Sequence, residues 1–207
     1  MKKLMCLIFF ILLLPNFNVK SSEIKNAPFQ NTFITLVNKK YYLDKDYVPK
    51  NLIYINDKTN CANLEIYINK FVFNQYTKMV NDLGLYNLYV FSGYRSYQKQ
   101  VFLYNYYKDE FLSAKPGHSE HQTGLAIDVS LLSVGLTDLF KDTDEFRILL
   151  NNAYKYGFIF RYPDNKKSIT GYVFEPWHLR YVGKKIAKYI HDNDLCLEEF
   201  VNNNFLF

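Results

Sequence analysis

Apolar positions change their period several times along this chain, and each change marks an expected element. Within residues 64–83, Ile68, Phe71, Val72, Tyr76, Met79 and Val80 recur at helical spacing and Gly84 follows as a cap, which predicts a core helix. Residues 85–92 are an apolar, aromatic run of strand length, and residues 96–111 return to helical spacing through Val101, Tyr104 and Tyr107. The join Ser92-Gly93-Tyr94-Arg95-Ser96 puts Arg95 at a strand end, where polar side chains often face a cleft. Residues 124–131 alternate, with Gly124, Ala126, Asp128 and Ser130 on one face and Leu125, Ile127, Val129 and Leu131 on the other, so Asp128 is expected to point away from the core. Thr143 or Asp144 can cap a helix through Tyr156 that stops at Gly157. Residues 33–42, 52–55, 158–161 and 172–181 read as extended, residues 183–191 as helix, and a short helical tail follows Leu195. Strands and helices in runs, without regular βαβ alternation, predict an α+β fold with a mainly antiparallel sheet flanked by helices.

At 207 residues the chain suits one hydrophobic core. Residues 1–22 differ from the rest: Lys2 and Lys3 precede an apolar run from Leu4 to Leu14, and a more polar exit follows, which predicts a signal peptide and export. The run is shorter than the roughly 20 apolar residues of a membrane span. Lys20, between the small residues Val19 and Ser21, leaves a retained N-terminal anchor, and so membrane attachment, as the alternative. Residues 23–207 are then the single domain, expected as a monomer. Losing Lys2, Lys3 and Lys20 lowers the formal charge from +5 to +2, and no basic stripe elsewhere suggests nucleic acid as a partner. Cys61 and Cys196 remain outside the leader; export permits a disulfide between them, but two distant cysteines make no framework.

Two of the four histidines lie in polar surroundings, His121 before Asp128 and His178 after Glu175. Two imidazoles and a carboxylate are an ordinary three-ligand set for catalytic zinc, which keeps a fourth position for water, and Glu175 could then act as base. A regular strand would set Glu175 and His178 on opposite faces, so their convergence needs a local distortion, for which Pro176 is the candidate.

Ser119-x-His121-x-x-Gly124-x-Ala126-x-Asp128, followed by Glu175-x-Trp177-His178, resembles the paired signature of the VanY-type D-alanyl-D-alanine carboxypeptidases. That family is related to VanX-type dipeptidases and L,D-carboxypeptidases, and its fold is similar to the Hedgehog domain. The resemblance covers roughly residues 37–188. It implies one zinc per chain on His121, Asp128 and His178, with Glu175 as general base. It also implies Arg95 beside the scissile peptide, and Ser119, Gln100 and Tyr162 as substrate contacts. The substrate it implies is the D-Ala-terminated stem peptide of peptidoglycan, met at the cell wall or the outer face of the membrane. The segment between the arginine and histidine motifs is several residues shorter than is usual in the family, which bears on the cleft rim.

Plainer roles compete. Arg95 could form a structural ion pair, His118 suits a rim position because a fourth protein ligand would close the site to water, Trp177 need only pack, and His191, in a Lys-rich helical tail, needs no special role. Hydrolysis of the terminal D-Ala is the expected activity. An L,D-carboxypeptidase is the nearest alternative, and a non-catalytic zinc module for wall or partner binding is the distant one, against which Glu175 and Arg95 both argue.

Overall fold

The computed structural model describes residues 24–56, 61–62, 65–108 and 113–204; the expected signal segment lies outside them. The strand β1 (Lys25–Asn26) pairs in parallel with β2 (Tyr41–Tyr42), and β3 (Leu52–Ile55) runs antiparallel to β4 (Ile66–Asn69). Then follow α1 (Lys70–Leu83), β5 (Tyr89–Ser92), α2 (Tyr97–Tyr107), β6 (Ala126–Ser130), α3 (Asp144–Asn152), β7 (Phe158–Phe160), α4 (Lys167–Thr170), β8 (His178–Tyr181), α5 (Lys184–Asp192) and α6 (Leu197–Asn204). The central sheet has the order β5-β6-β8-β7, antiparallel throughout. Among the described residues no helix is long and apolar enough to cross a membrane.

The expected helix over residues 64–83 begins later. Ile66, Tyr67 and Ile68 alternate buried, exposed, buried against β3, and Asn69 then caps α1 by accepting from the Phe71 amide at 2.9 Å. Val72, Tyr76, Met79 and Val80 are its buried face, while Phe71 is left exposed; Gly84 closes the helix at φ 68°. Thr143 caps α3 as expected, and its turn continues as a 3-10 segment to Tyr156 before Gly157. The expected strand over residues 172–181 shrinks to β8, because Pro176 and Trp177 form a turn closed by the His178 amide on the Glu175 carbonyl at 3.2 Å. Cys61 and Cys196 are not joined by a disulfide.

The sheet separates two environments. Ile127, Val129, Leu179, Phe158 and Tyr181 enter the main core with α1 and α3, whereas Ala126, Asp128, His178 and Arg180 share the opposite face. That second face holds a buried charge network. Arg161 sets Nε 2.9 Å from Glu120 and grips both oxygens of Glu198 at 2.7 and 2.8 Å. Arg180 donates to Glu120 at 2.6 Å and to the Phe33 and Thr35 carbonyls at 3.1 and 2.8 Å. Two arginines face two glutamates, and all four are buried. The network ties the segment before β2 to α6, to β8 and to the 3-10 turn Glu120–Thr123.

Burial alone would raise the pKa of Glu120, but Arg180 and Arg161 outweigh it and hold the carboxyl down to about 2. Because the folded value lies below that of an unfolded glutamate, Glu120 contributes stability above pH 4.5 that is lost as pH falls from there through about 2. Glu120→Gln leaves two guanidinium groups without their shared carboxylate and should cost about 3–5 kcal/mol at neutral pH. Urea unfolding followed by fluorescence of Trp177, the chain's one tryptophan, measures both effects; a variant within about 1 kcal/mol of wild type would mean that the network holds nothing together.

Candidate metal centre

The register of the central sheet builds the site. Ser92, Asp128 and His178 stand opposite one another on β5, β6 and β8. A shift of register between Val90 and Ser92 bends the end of β5, where the chain turns toward Arg95. His121 arrives from the 3-10 turn that precedes β6, with Gly124 at φ 71° making the return into the strand. Glu175 comes from the tight turn before β8, so the convergence that a regular strand forbids is made by the Pro176 turn.

His121 Nδ1 lies 2.7 Å from the Gly93 carbonyl, which assigns the ring proton there and leaves Nε2 to face Asp128 Oδ2 at 3.1 Å. His178 Nδ1 is 3.2 Å from Asp128 Oδ1 and 3.3 Å from Glu175 Oε2. One donor atom from each of His121, Asp128 and His178 lies within 4.8 Å of the others, and all three residues are buried. Bonds of about 2.0–2.1 Å in a tetrahedral zinc site place ligand atoms about 3.3–3.4 Å apart. The three residues therefore fit a single ion with little movement.

The electrostatics agree. Burial pushes the Asp128 carboxyl up, yet His121 and His178 hold it well below the usual carboxylate range. Burial lowers His121, with Asp128 acting against it. His178 is also pushed down by burial, but hydrogen bonds to Asp128 and Glu175 outweigh that and raise it to about 9. A proton is thus favoured where a cation would sit.

The cluster opens into a cleft of about 540 Å³, whose walls include Arg95, Tyr107, Ser119, Tyr162, Glu175 and Trp177. Arg95 is half-buried, and its Nη2 lies 4.0 Å from Asp128 Oδ2 and 3.2 Å from Ser92 Oγ. Burial lowers its pKa, against the pull of Asp128 and Glu175. The Tyr162 ring packs 5.0 Å from that of His178. Gln100 does not line the cleft; it sits behind Arg95. His118 is buried rather than on the rim, its Nδ1 2.7 Å from the Asn38 carbonyl, and His191 stacks on Tyr154. Glu120, Arg161, Arg180 and Glu198, which brace the segments carrying the cluster, have no signal in the sequence beyond the adjacency of Glu120 to His121.

Fold and cluster together define a mononuclear metal site at the polar face of an antiparallel sheet. A family profile described as VanY: D-alanyl-D-alanine carboxypeptidase matches residues 65–184, and the chain belongs to that family. A bifunctional D-Ala-D-Ala dipeptidase and carboxypeptidase, VanXYC of Enterococcus gallinarum, is 34% identical over 180 residues, 81% of this chain and 92% of that protein. A relative from Bacillus subtilis is 62% identical over 89 residues, 42% of this chain, and the match spans about one third (33%) of that relative's length. The LD-carboxypeptidase LdcB superposes with a TM-score of 0.76 at 42% identity, covering 87% of this chain and 94% of LdcB. A variant of the D,D-pentapeptidase VanY from a VanB-type vancomycin-resistance cassette, solved with Zn(II), superposes with a TM-score of 0.65 at 31% identity, covering 82% and 98%.

Gly93 carries a prediction. A Cβ there would run into the Tyr67 carbonyl oxygen, so Gly93→Ala forces one of the two backbone segments to shift and disturbs the seat of Gly93, whose own carbonyl orients His121. Loss of such an outer partner lowers metal affinity by about 10–100-fold. Competition with a chelator of known affinity measures this, and an unchanged affinity would mean that the Gly93 contact does not orient the ligand.

Proposed function

We propose that this protein is a zinc-dependent carboxypeptidase that removes the terminal D-Ala from peptidoglycan stem peptides, with zinc held by His121, Asp128 and His178. The observation that carries the reading is Glu175, 3.3 Å from a ligand imidazole and facing a cleft that has Arg95 in another wall. A site that only stored a metal would have no use for that carboxylate. Export, predicted by residues 1–22, accords with a substrate outside the cytoplasmic membrane.

Zinc, when bound, supplies Lewis-acid chemistry, acidifying water and polarising a carbonyl. Glu175 accepts the proton of the attacking water and returns it to the leaving amine. Arg95 offers a fixed cation to the developing oxyanion or to the substrate carboxylate, Ser119 offers a hydroxyl, and Tyr162 packs against His178 beside the bound peptide.

Identity to LdcB over most of the chain favours a second reading, in which the peptide cut is the tetrapeptide and the bond is of the L,D kind. Pocket shape at the penultimate residue separates the two. Mass analysis of products from a stem tetrapeptide and a pentapeptide decides between them, and no cleavage of either by the zinc-loaded protein would overturn both readings.

Two further outcomes follow from the assigned roles. Glu175→Ala should retain zinc, measured by metal analysis, and lose nearly all turnover; more than about a tenth of wild-type kcat would rule out the general-base role. Amidating the terminal D-Ala should cost roughly 2–4 kcal/mol in transition-state binding, since it removes a charged hydrogen-bond partner from a desolvated site. Equal kcat/KM for free and amidated peptides would indicate an endopeptidase.

A further inference from the structure

Helical period groups Phe71 with the buried residues of α1, yet the fold leaves its ring 54% exposed. Phe33, 38% exposed, meets it edge to face at 6.3 Å. The two rings line a pocket of about 200 Å³ that shares no residue with the cleft of the metal centre. Asn31, Lys50 and Asn51 stand exposed around it, and their side chains make no hydrogen bond or ion pair among the described residues. The 3-10 turn that carries His121 adjoins both openings: Ser119, Glu120 and His121 line the cleft, while Thr123 lines this pocket.

We propose that this pocket is a second substrate subsite, which binds one pyranose ring of the wall glycan while a stem peptide carried by that glycan occupies the cleft. The choice of ligand rests on the carboxypeptidase reading. A pyranose has a C–H face that lies well on phenyl rings and a rim of hydroxyl and acetamido groups that pairs with amides and an ammonium. Competing ligands fit less well. A wholly apolar group would desolvate Asn31, Lys50 and Asn51 without pairing them, and a simple anion would find one cation and gain nothing from Phe33 and Phe71. A stem of five residues reaches at most about 17 Å when extended, so a sugar held beside Thr123 keeps its own peptide close to the metal centre across one short turn. Linking the two contacts raises the effective concentration of the second, and the advantage belongs to glycan-borne peptides alone.

Soluble glycan strands stripped of their stem peptides, titrated into the zinc-loaded protein and followed by calorimetry, test the subsite without any turnover. Wild type should bind them, and Phe71→Ala and Asn51→Gly should each weaken binding by about tenfold or more. Both changes spare the core, since Phe71 is exposed and Asn51 has a φ of 60° that glycine adopts freely; Asn51→Gly suffices should the alanine protein fail to fold. Hydrolysis of free stem peptide should stay within about twofold of wild type in both variants, while hydrolysis of intact wall falls by about tenfold. Amide shifts on adding stripped glycan should centre on Asn51, Phe71 and Thr123. No binding by wild type, equal binding by the variants, or shifts confined to the cleft would each overturn the proposal. The two readings fail separately: a protein that binds stripped glycan through this pocket but cuts no stem peptide loses the carboxypeptidase reading alone, and one that cuts stem peptide without binding glycan loses the subsite alone.

Discussion

The buried Arg161–Glu120–Arg180 arrangement, closed by Glu198, is the constraint from which the site's precision follows. Glu120 is next to His121, and Arg180 lies two residues beyond His178, so one carboxylate shared by two guanidinium groups connects the segments that carry both imidazoles. Apolar packing could hold these segments together, but it is non-directional and tolerates sliding. Hydrogen-bonded charges do not, because a small displacement leaves a buried charge without its partner, which costs several kcal/mol. The gain is positional rather than a net stabilisation, since replacing such a network by apolar side chains is often neutral.

With those segments fixed, strand register does the rest. Asp128 faces His178 across β6 and β8 because the two occupy one rung of an antiparallel ladder, and a slip of one residue would carry Asp128 into the core. The core resists that slip, since Ile127 and Val129 would have to leave it. The metal centre is therefore specified by hydrophobic pattern as much as by its own polar residues. His121 and Glu175 lie outside the ladder, each on a short turn, and each turn has its own device: Gly124 at positive φ after the first, Pro176 within the second.

The sequence was most legible where one period ran undisturbed. Residues 124–131 read as a strand with Asp128 on the polar face because their alternation is clean, and β6 lies inside those bounds. Residues 64–83 were harder, since Ile66 and Ile68 fit a strand while Ile68, Phe71 and Val72 fit a helix; pairing with β3, a contact distant in sequence, made the choice. Residues 172–181 misled for a similar reason, because their aromatic and β-branched composition suits a strand while Pro176 imposes a turn. The candidate ligand set is legible through the doubled motif, not through any one histidine. The charge network was hidden because Arg161 and Arg180 stand in strand-like runs that give no sign of which distant carboxylate each will meet.

Under the mechanism proposed above, Asp128 and Glu175 would divide the work between like groups by their environments. Asp128 is buried between two imidazoles, with one oxygen 3.1 Å from His121 Nε2 and the other 3.2 Å from His178 Nδ1, so its negative charge is held at the cluster. Glu175 stands on a turn with its side chain 22% exposed and only Oε2 close to His178. A carboxylate that must hold an ion benefits from rigidity and from having no alternative partner. A carboxylate that must take a proton and give it back needs access to solvent and freedom to turn, which a turn residue at the cleft wall has and a residue in the middle of a central strand lacks. Exchanging the two positions would defeat both tasks, because the strand would immobilise the base and the turn would let the ligand swing. The proposed division of labour would therefore reside in the backbone that carries each carboxylate, and the preference for a β6 rung at one and a proline turn at the other is already written in the residues around them.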